Sequence, residues 1–402
     1  MGLGCHCFTT NKQTNHIVLH SYHKNKEELK KKKKKNSSLF LWIPMAEFAN
    51  VTEFVNAGYW LASTDDRLPA ANIDATLFTH LFAGYAQLNS DTYQVTIDPS
   101  QLILLNQFSP TVRLSNPDVK TLLSIAADAA VFAAMAADPT NRDAFIKSSI
   151  AAARGGGFDG LDLQWLYPSS QEEMGNFKTL IHSWHQAVVD DATSLSLPQL
   201  LLVATVSNLP YLQSNIQYPA DAINQKLDWV NLLSYDFYTP DSNRAATGPS
   251  SAFHNPKANA LSANFGIRSW AQSLHNLPHK KIVFGIPFHG WAWKLFNSHQ
   301  HTLFAKADGA ATGEYIGPHG QIFYSDVQKF IEDNQAGVED KDKSYLVAYA
   351  YYETTWITYE SEYTIADKIA LAKTDKVLGY FAFNIAADDA SNTLANAAKS
   401  NW

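Results

Sequence analysis

From about residue 54 onward, short apolar runs alternate with longer stretches rich in Ala, Lys, Ser and Glu. Leu200 to Val206, Trp229 to Leu233 and Lys281 to Pro287 are runs of strand length, and the stretches between them have the composition of helices. Strands that alternate with helices predict parallel βαβ units and an α/β fold. Gly155-Gly156-Gly157 stands before a strand rather than after one. That order suits a helix end turning into a strand, and it is the wrong order for a phosphate-cradling loop. The stretch 291–356 is too long for an ordinary connection and carries its own turn signals at Asp308-Gly309, Gly317-Pro318 and His319-Gly320. It also holds the alternating strand pattern Tyr345 to Tyr351.

One apolar run has chemistry written into it: Phe158-Asp159-Gly160-Leu161-Asp162-Leu163-Gln164-Trp165-Leu166-Tyr167-Pro168. In a strand, every second side chain shares a face, so Asp162, Gln164 and Leu166 point together toward a barrel axis or a cleft floor. By itself this alternation also fits any half-buried strand with a polar inner face. The string resembles the DGxDxDWEYP signature of glycoside hydrolase family 18, chitinases that cleave β-1,4-linked N-acetylglucosamine by substrate-assisted catalysis. Asp159 and Asp162 keep the pattern, whereas Gln164 replaces its last Asp and Leu166 replaces the catalytic Glu. A general acid must present a proton to the glycosidic oxygen, an assistance worth about 10²–10⁴ in rate. Leucine has none to give. The family's Asp at the Gln164 position orients the acetamido group and stabilises the cationic intermediate, and Gln164 keeps a hydrogen-bonding amide without the charge.

The resemblance runs from about Phe54 to the C-terminus and closely follows plant class V chitinases and their lectin-like relatives. Phe54 to Trp60 looks like the first barrel strand, Leu77 to Ala86 like the second and Val119 to Ala127 like the third, where two family glycines are Ala126 and Ala127. Leu232-Leu233-Ser234-Tyr235-Asp236-Phe237-Tyr238 is similar to the MAYDFYG segment, whose Tyr and Asp hydrogen-bond the sugar's acetamido group in the family. Gly285 to Leu295 resembles the seventh strand and its exit, and Leu378 to Asp389 the eighth. In the family a Trp of that last segment is the floor under the central sugar, and Phe383 stands in its place. The resemblance implies a (β/α)₈ TIM barrel at 54–290 and 357–402. It also implies a small α+β insertion at 291–356, between the seventh strand and its helix, forming one wall of a sugar groove. A barrel of typically about 250 residues plus an insertion fits this length, with functional groups at the C-terminal strand ends.

Charge and composition narrow the partners. The whole chain is formally −7, and its first 45 residues carry nine Lys and two Glu, so the remainder is strongly acidic. This argues against nucleic acid, whose binding needs basic faces. Aromatic residues at 12 % and charged residues at only 17 % suit stacking on a neutral ligand, although most such rings are core. Residues 1–53 show no barrel landmark, contain the run Lys30 to Lys35, and read as a disordered or non-native leader ahead of Met45. The apolar run Leu39 to Pro44 is short and late for a signal peptide, and His6 occupies the place where an acylation motif wants Ser or Thr. Asn36-Ser37-Ser38 and Asn50-Val51-Thr52 are formal glycosylation sequons. Localisation stays open, extracellular or vacuolar by family resemblance. Both cysteines lie in the leader, no stretch approaches the roughly 18 apolar residues of a membrane span, and the 14 histidines show no metal-ligand spacing.

Three functions remain: a chitinase-like lectin that keeps the groove without the acid, a hydrolase that recruits another carboxylate such as Asp236, and a storage protein or glycosidase inhibitor with a closed groove. The first is the expectation, with no catalytic residue in the degenerate motif, no metal and no cofactor. The expected ligand is a glycan, an N-acetylglucosamine oligosaccharide or a high-mannose glycan. Gln164, Tyr235, Asp236, Tyr238, Phe383, Phe82 and Trp293 are the candidate binding residues. Oligomeric state is left open.

Overall fold

The computed structural model describes residues 54–402, apart from Ser214, Ser273 and Leu274. The expected leader, with its signal-peptide, acylation and sequon readings, lies outside the described residues. Eight strands form the centre: β1 (Val55–Leu61), β2 (His80–Leu88), β3 (Lys120–Ala126), β4 (Gly160–Leu163), β5 (Leu201–Ser207), β6 (Trp229–Leu233), β7 (Ile282–Pro287) and β8 (Gly379–Phe383). Each pairs in parallel with its neighbours, and β1 pairs with both β8 and β2, which closes the barrel. The fold is a (β/α)₈ barrel.

Strand alternation decides what fills the barrel and what seals it from outside. On β1, Val55, Ala57 and Tyr59 join the inner cluster, which also holds Phe82, Leu122, Val203 and Phe381. Trp60, one residue on, points outward into the layer between strands and helices, as the period of two requires. The helices present their apolar sides to that layer; Gln171–Leu195 buries Phe177, Ile181, Trp184 and Val188 against it. That helix starts where Ser170 caps the Glu173 N–H, with Glu172 and Glu173 favourably placed in its first turn. The Gly155-Gly156-Gly157 run does end a helix, Pro139–Gly155, and Gly157 takes a φ of +66° that glycine adopts without steric penalty.

An antiparallel sheet is inserted between β7 and the helix Glu362–Thr374. Its central strands, His289–Leu295, Thr355–Tyr359 and Val347–Tyr352, pair in that order, with the helix Tyr324–Asn334 in the same insertion. The sheet begins before 291 and ends after 356, because only Phe288 separates its first strand from β7. Trp293, Leu295, Ala305, Ala307 and Trp356 form a small core of its own.

A buried ion pair ties the return helix, Glu362–Thr374, to the loop that carries Ser251. Lys368 contacts the Glu360 carboxylate and donates to the Ser251 carbonyl at 2.6 Å. Glu360 also accepts from the Ser251 and Thr364 hydroxyls. Every strong donor and acceptor in the cluster is therefore met, which a buried charge pair requires. Residue 250, next in the chain, accepts a hydrogen bond from the Phe237 N–H at 2.8 Å.

Candidate functional site

At the C-terminal ends of the strands lies a groove of about 490 Å³. Its floor is aromatic. Phe381 and Phe383 come from β8, and Tyr235 follows β6 with its ring nearly parallel to Phe383, centroids 6.1 Å apart and planes at 20°. Gly285 on β7 makes room for this arrangement, since a Cβ there would lie 2.6 Å from both Phe381 and Tyr235. The Tyr59 ring closes the floor 5.6 Å from Phe383.

Tyr59, Gln164 and Thr205, which line the groove, also belong to a polar cluster around Asp162. Asp162 is fully buried. Its carboxylate accepts from Gln164 Nε2 at 2.6 Å, Ser124 Oγ at 2.8 Å, Tyr59 Oη at 2.9 Å and Thr205 Oγ1 at 3.2 Å. Burial raises its pKa to about 6, against the pull of those hydrogen bonds. Tyr59 Oη in turn accepts from Asn231 Nδ2 at 2.7 Å, and burial together with the Asp162 charge pushes this phenol well above its ordinary range. Gln164 also lies 2.9 Å from Thr205 Oγ1 and 3.2 Å from Tyr59 Oη. Its amide nitrogen is thus committed to the cluster, with two N–H groups for three neighbours.

On the wall, Asp236 sits at φ +58°, a left-handed conformation that Asp tolerates better than most residues. This turn lets its Oδ1 accept from Trp291 Nε1 at 2.7 Å and from His289 Nε2 at 3.0 Å. Oδ2 is 3.4 Å from His289, and the side chain keeps 34 % exposure. Burial works against the His289 charge, yet the Asp236 carboxylate and a hydrogen bond to the Phe383 backbone hold its pKa above the usual imidazole value. Among the residues lining the groove, Asp236 is the one carboxylate, and Leu166 presents a half-buried alkyl group to the same groove.

The structure brings Gln164, Leu166, Tyr235, Asp236 and Phe383 to one groove. It places the other expected residues elsewhere. Asp159 stands at the opposite end of β4, paired with Arg113 at 2.6 Å and accepting from the Thr121 N–H. Phe82 is fully buried one layer down, stacked on Tyr59 at 4.4 Å. Tyr238 turns away to meet Phe304 edge-on and lie over Gly248. Trp293 is fully buried, donates to the Asn243 carbonyl and packs on Trp356. These three are corrected from groove to core: Phe82 lies beneath Tyr59 inside the barrel, and the insertion's own core gathers Trp293 with Tyr238 packed against it. Sequence reasoning missed His289 and Trp291, although their i, i+2 spacing in an extended segment puts both on one side. It also missed Tyr85, Tyr167 and the leucines of the wall, which come together only through the fold.

Comparison with family models matches residues 55–388 to glycosyl hydrolases family 18. The chain belongs to that family. Within it, a class V chitinase of Arabidopsis thaliana is 45 % identical over 354 residues, covering 87 % of this chain and 89 % of the relative. The solved class V chitinase of Nicotiana tobaccum superposes with a TM-score of 0.82 at 37 % identity, covering 87 % and 99 %. The chitinase-like agglutinin of Robinia pseudoacacia gives 0.78 at 36 %, with the same coverage. Against its family 18 pattern this chain keeps the Asp162 and Asp236 carboxylates. The groove offers aromatic rings, hydrogen-bonding groups and the Asp236 carboxylate, and at position 166 it holds no proton to transfer.

Proposed function

We propose that this family 18 chain is a carbohydrate-binding protein that does not cleave its ligand. The observation that carries the reading is Leu166, half-buried on the groove wall where the family signature has its acid. The aromatic floor and the Asp236 carboxylate are what a sugar needs: apolar rings for its C–H face and a convergent acceptor for its N–H or hydroxyl groups. Asp236 Oδ1 is held by two donors, and Oδ2, with only a long 3.4 Å contact to His289, keeps acceptor capacity for a ligand. The relatives support the class of ligand, since the tobacco chitinase was solved as a mutant in complex with NAG4. The agglutinin shares the fold. The groove volume favours binding over a closed site.

Calorimetric titration with chitotetraose, alongside an assay for released reducing ends, tests this. Binding without release is expected, and Asp236→Ala should weaken it by roughly 10–100-fold, the loss expected for a hydrogen bond to a charged group. Release at the rate of an active class V chitinase would overturn the reading and make Asp236 the recruited acid. No binding of chitotetraose or of a high-mannose glycan would remove the groove from the sugar-binding role.

A further inference from the structure

The wall beyond Leu166 is unlike the rest of the groove. Leu166, Leu209 and Leu212 are half-buried there, and Leu261 is 41 % exposed, all lining the same concavity as Asp236 and Phe383. The wall is fixed in place rather than draped over the site. Tyr218 Oη donates to the Leu166 carbonyl at 2.9 Å, and the Tyr218 N–H donates to the Pro210 carbonyl at 3.0 Å, tying the hairpin that carries Leu212 to the segment that carries Leu166.

A second sugar ring laid against these leucines would turn part of its hydroxyl set toward alkyl groups, with Ser207 and Tyr211 the nearby polar partners in the same lining, and each hydroxyl stripped of water without a replacement is penalised. An alkyl or aryl group in the same place removes apolar surface from water on both sides. A leucine at 166 therefore does more than lack a proton to donate: it adds its alkyl side chain to those of Leu209, Leu212 and Leu261 in the groove lining.

Resting on the sugar-binding reading above, we infer that the groove takes an amphiphilic glycoside, its N-acetylated sugar over Phe383 and against Asp236 and its alkyl or aryl aglycone along Leu166 and Leu212.

The test compares free chitobiose with its n-octyl and p-nitrophenyl β-glycosides by calorimetry. The glycosides should bind at least tenfold more tightly than free chitobiose. In a Leu212→Ser, Leu261→Ser double variant with native circular dichroism, that ratio should fall toward one; Leu261→Ser alone, at an exposed position, gives a smaller fall if the double variant does not fold. Free chitobiose binding with a ratio near one in the unaltered protein overturns this inference and leaves the sugar-binding reading standing. A ratio that survives in the folded variants overturns it as well. Failure of all three ligands to bind overturns both.

Discussion

Gln164 Nε2 lies 2.6 Å from Asp162 Oδ2, so the residue that replaces the signature's last Asp serves as a donor to the Asp before it. Two carboxyl groups at this spacing exchange and share protons, whereas an amide and a carboxylate form a fixed pair. Here the pair is a structural clamp. Replacing Gln164 by Leu should remove one donor from a buried carboxylate and destabilise the fold by about 1–3 kcal/mol. Urea denaturation at pH 7 measures this, and an unchanged midpoint would show the clamp to be dispensable.

The same carboxylate makes stability pH-dependent. Asp162 titrates near 6 in the folded protein, above its unfolded value, so the native state holds the proton more tightly. Its contribution is full below about pH 4 and is lost as pH rises to about 6. Asp388, also raised to about 6 by burial, acts in the same direction. In Asp162→Asn, the decline in unfolding free energy between pH 4 and 6 should become shallower, by on the order of 2–3 kcal/mol. Parallel slopes in the two proteins would contradict it.

His289 should titrate above an ordinary histidine, because Asp236 outweighs the effect of burial. Its stabilising charge is complete below about pH 6.5 and disappears as pH climbs through the folded value. In Asp236→Asn, burial is left with less opposition and the pKa should fall below 6.5. Proton NMR of the imidazole resonances gives both values, and a His289 pKa indifferent to that substitution would break the link.

Restoring the acid alone should recover little catalysis. Leu166→Glu supplies a carboxyl at the right place, but Phe383 is smaller than the indole of the family floor, and positioning errors near 1 Å cost about 10²-fold. Reducing-end release from chitotetraose by this variant is expected to stay about 10²-fold below that of an active class V chitinase. Full recovery would mean that the altered floor is catalytically neutral.

The barrel was legible because its signals are local. Runs such as Trp229 to Leu233 and Lys281 to Pro287 begin and end within a residue of β6 and β7, since a strand buried on both faces is continuously apolar. The groove residues Gln164, Asp236 and Phe383 were legible through motifs that fix their place at strand ends. Tyr238 and Trp293 were not, because the same aromatic residue serves a groove or a core depending on what covers it, and the covering segments, near Phe304 and Trp356, are distant in sequence. His289 and Trp291 were overlooked for a related reason: their role depends on the left-handed turn at Asp236, which no periodicity announces.

That turn has a remote support. The Phe237 N–H holds the Ser250 carbonyl, and its neighbour Ser251 is gripped by Lys368 and Glu360 inside the protein. The corner that presents a carboxylate to ligand is thus preorganised from the far side by a pair of charges that no ligand meets. If the groove binds sugar as proposed, its affinity is tied to the integrity of the helix Glu362–Thr374, and a chain that drifts at 360 or 368 would lose recognition while every residue of its groove stayed the same.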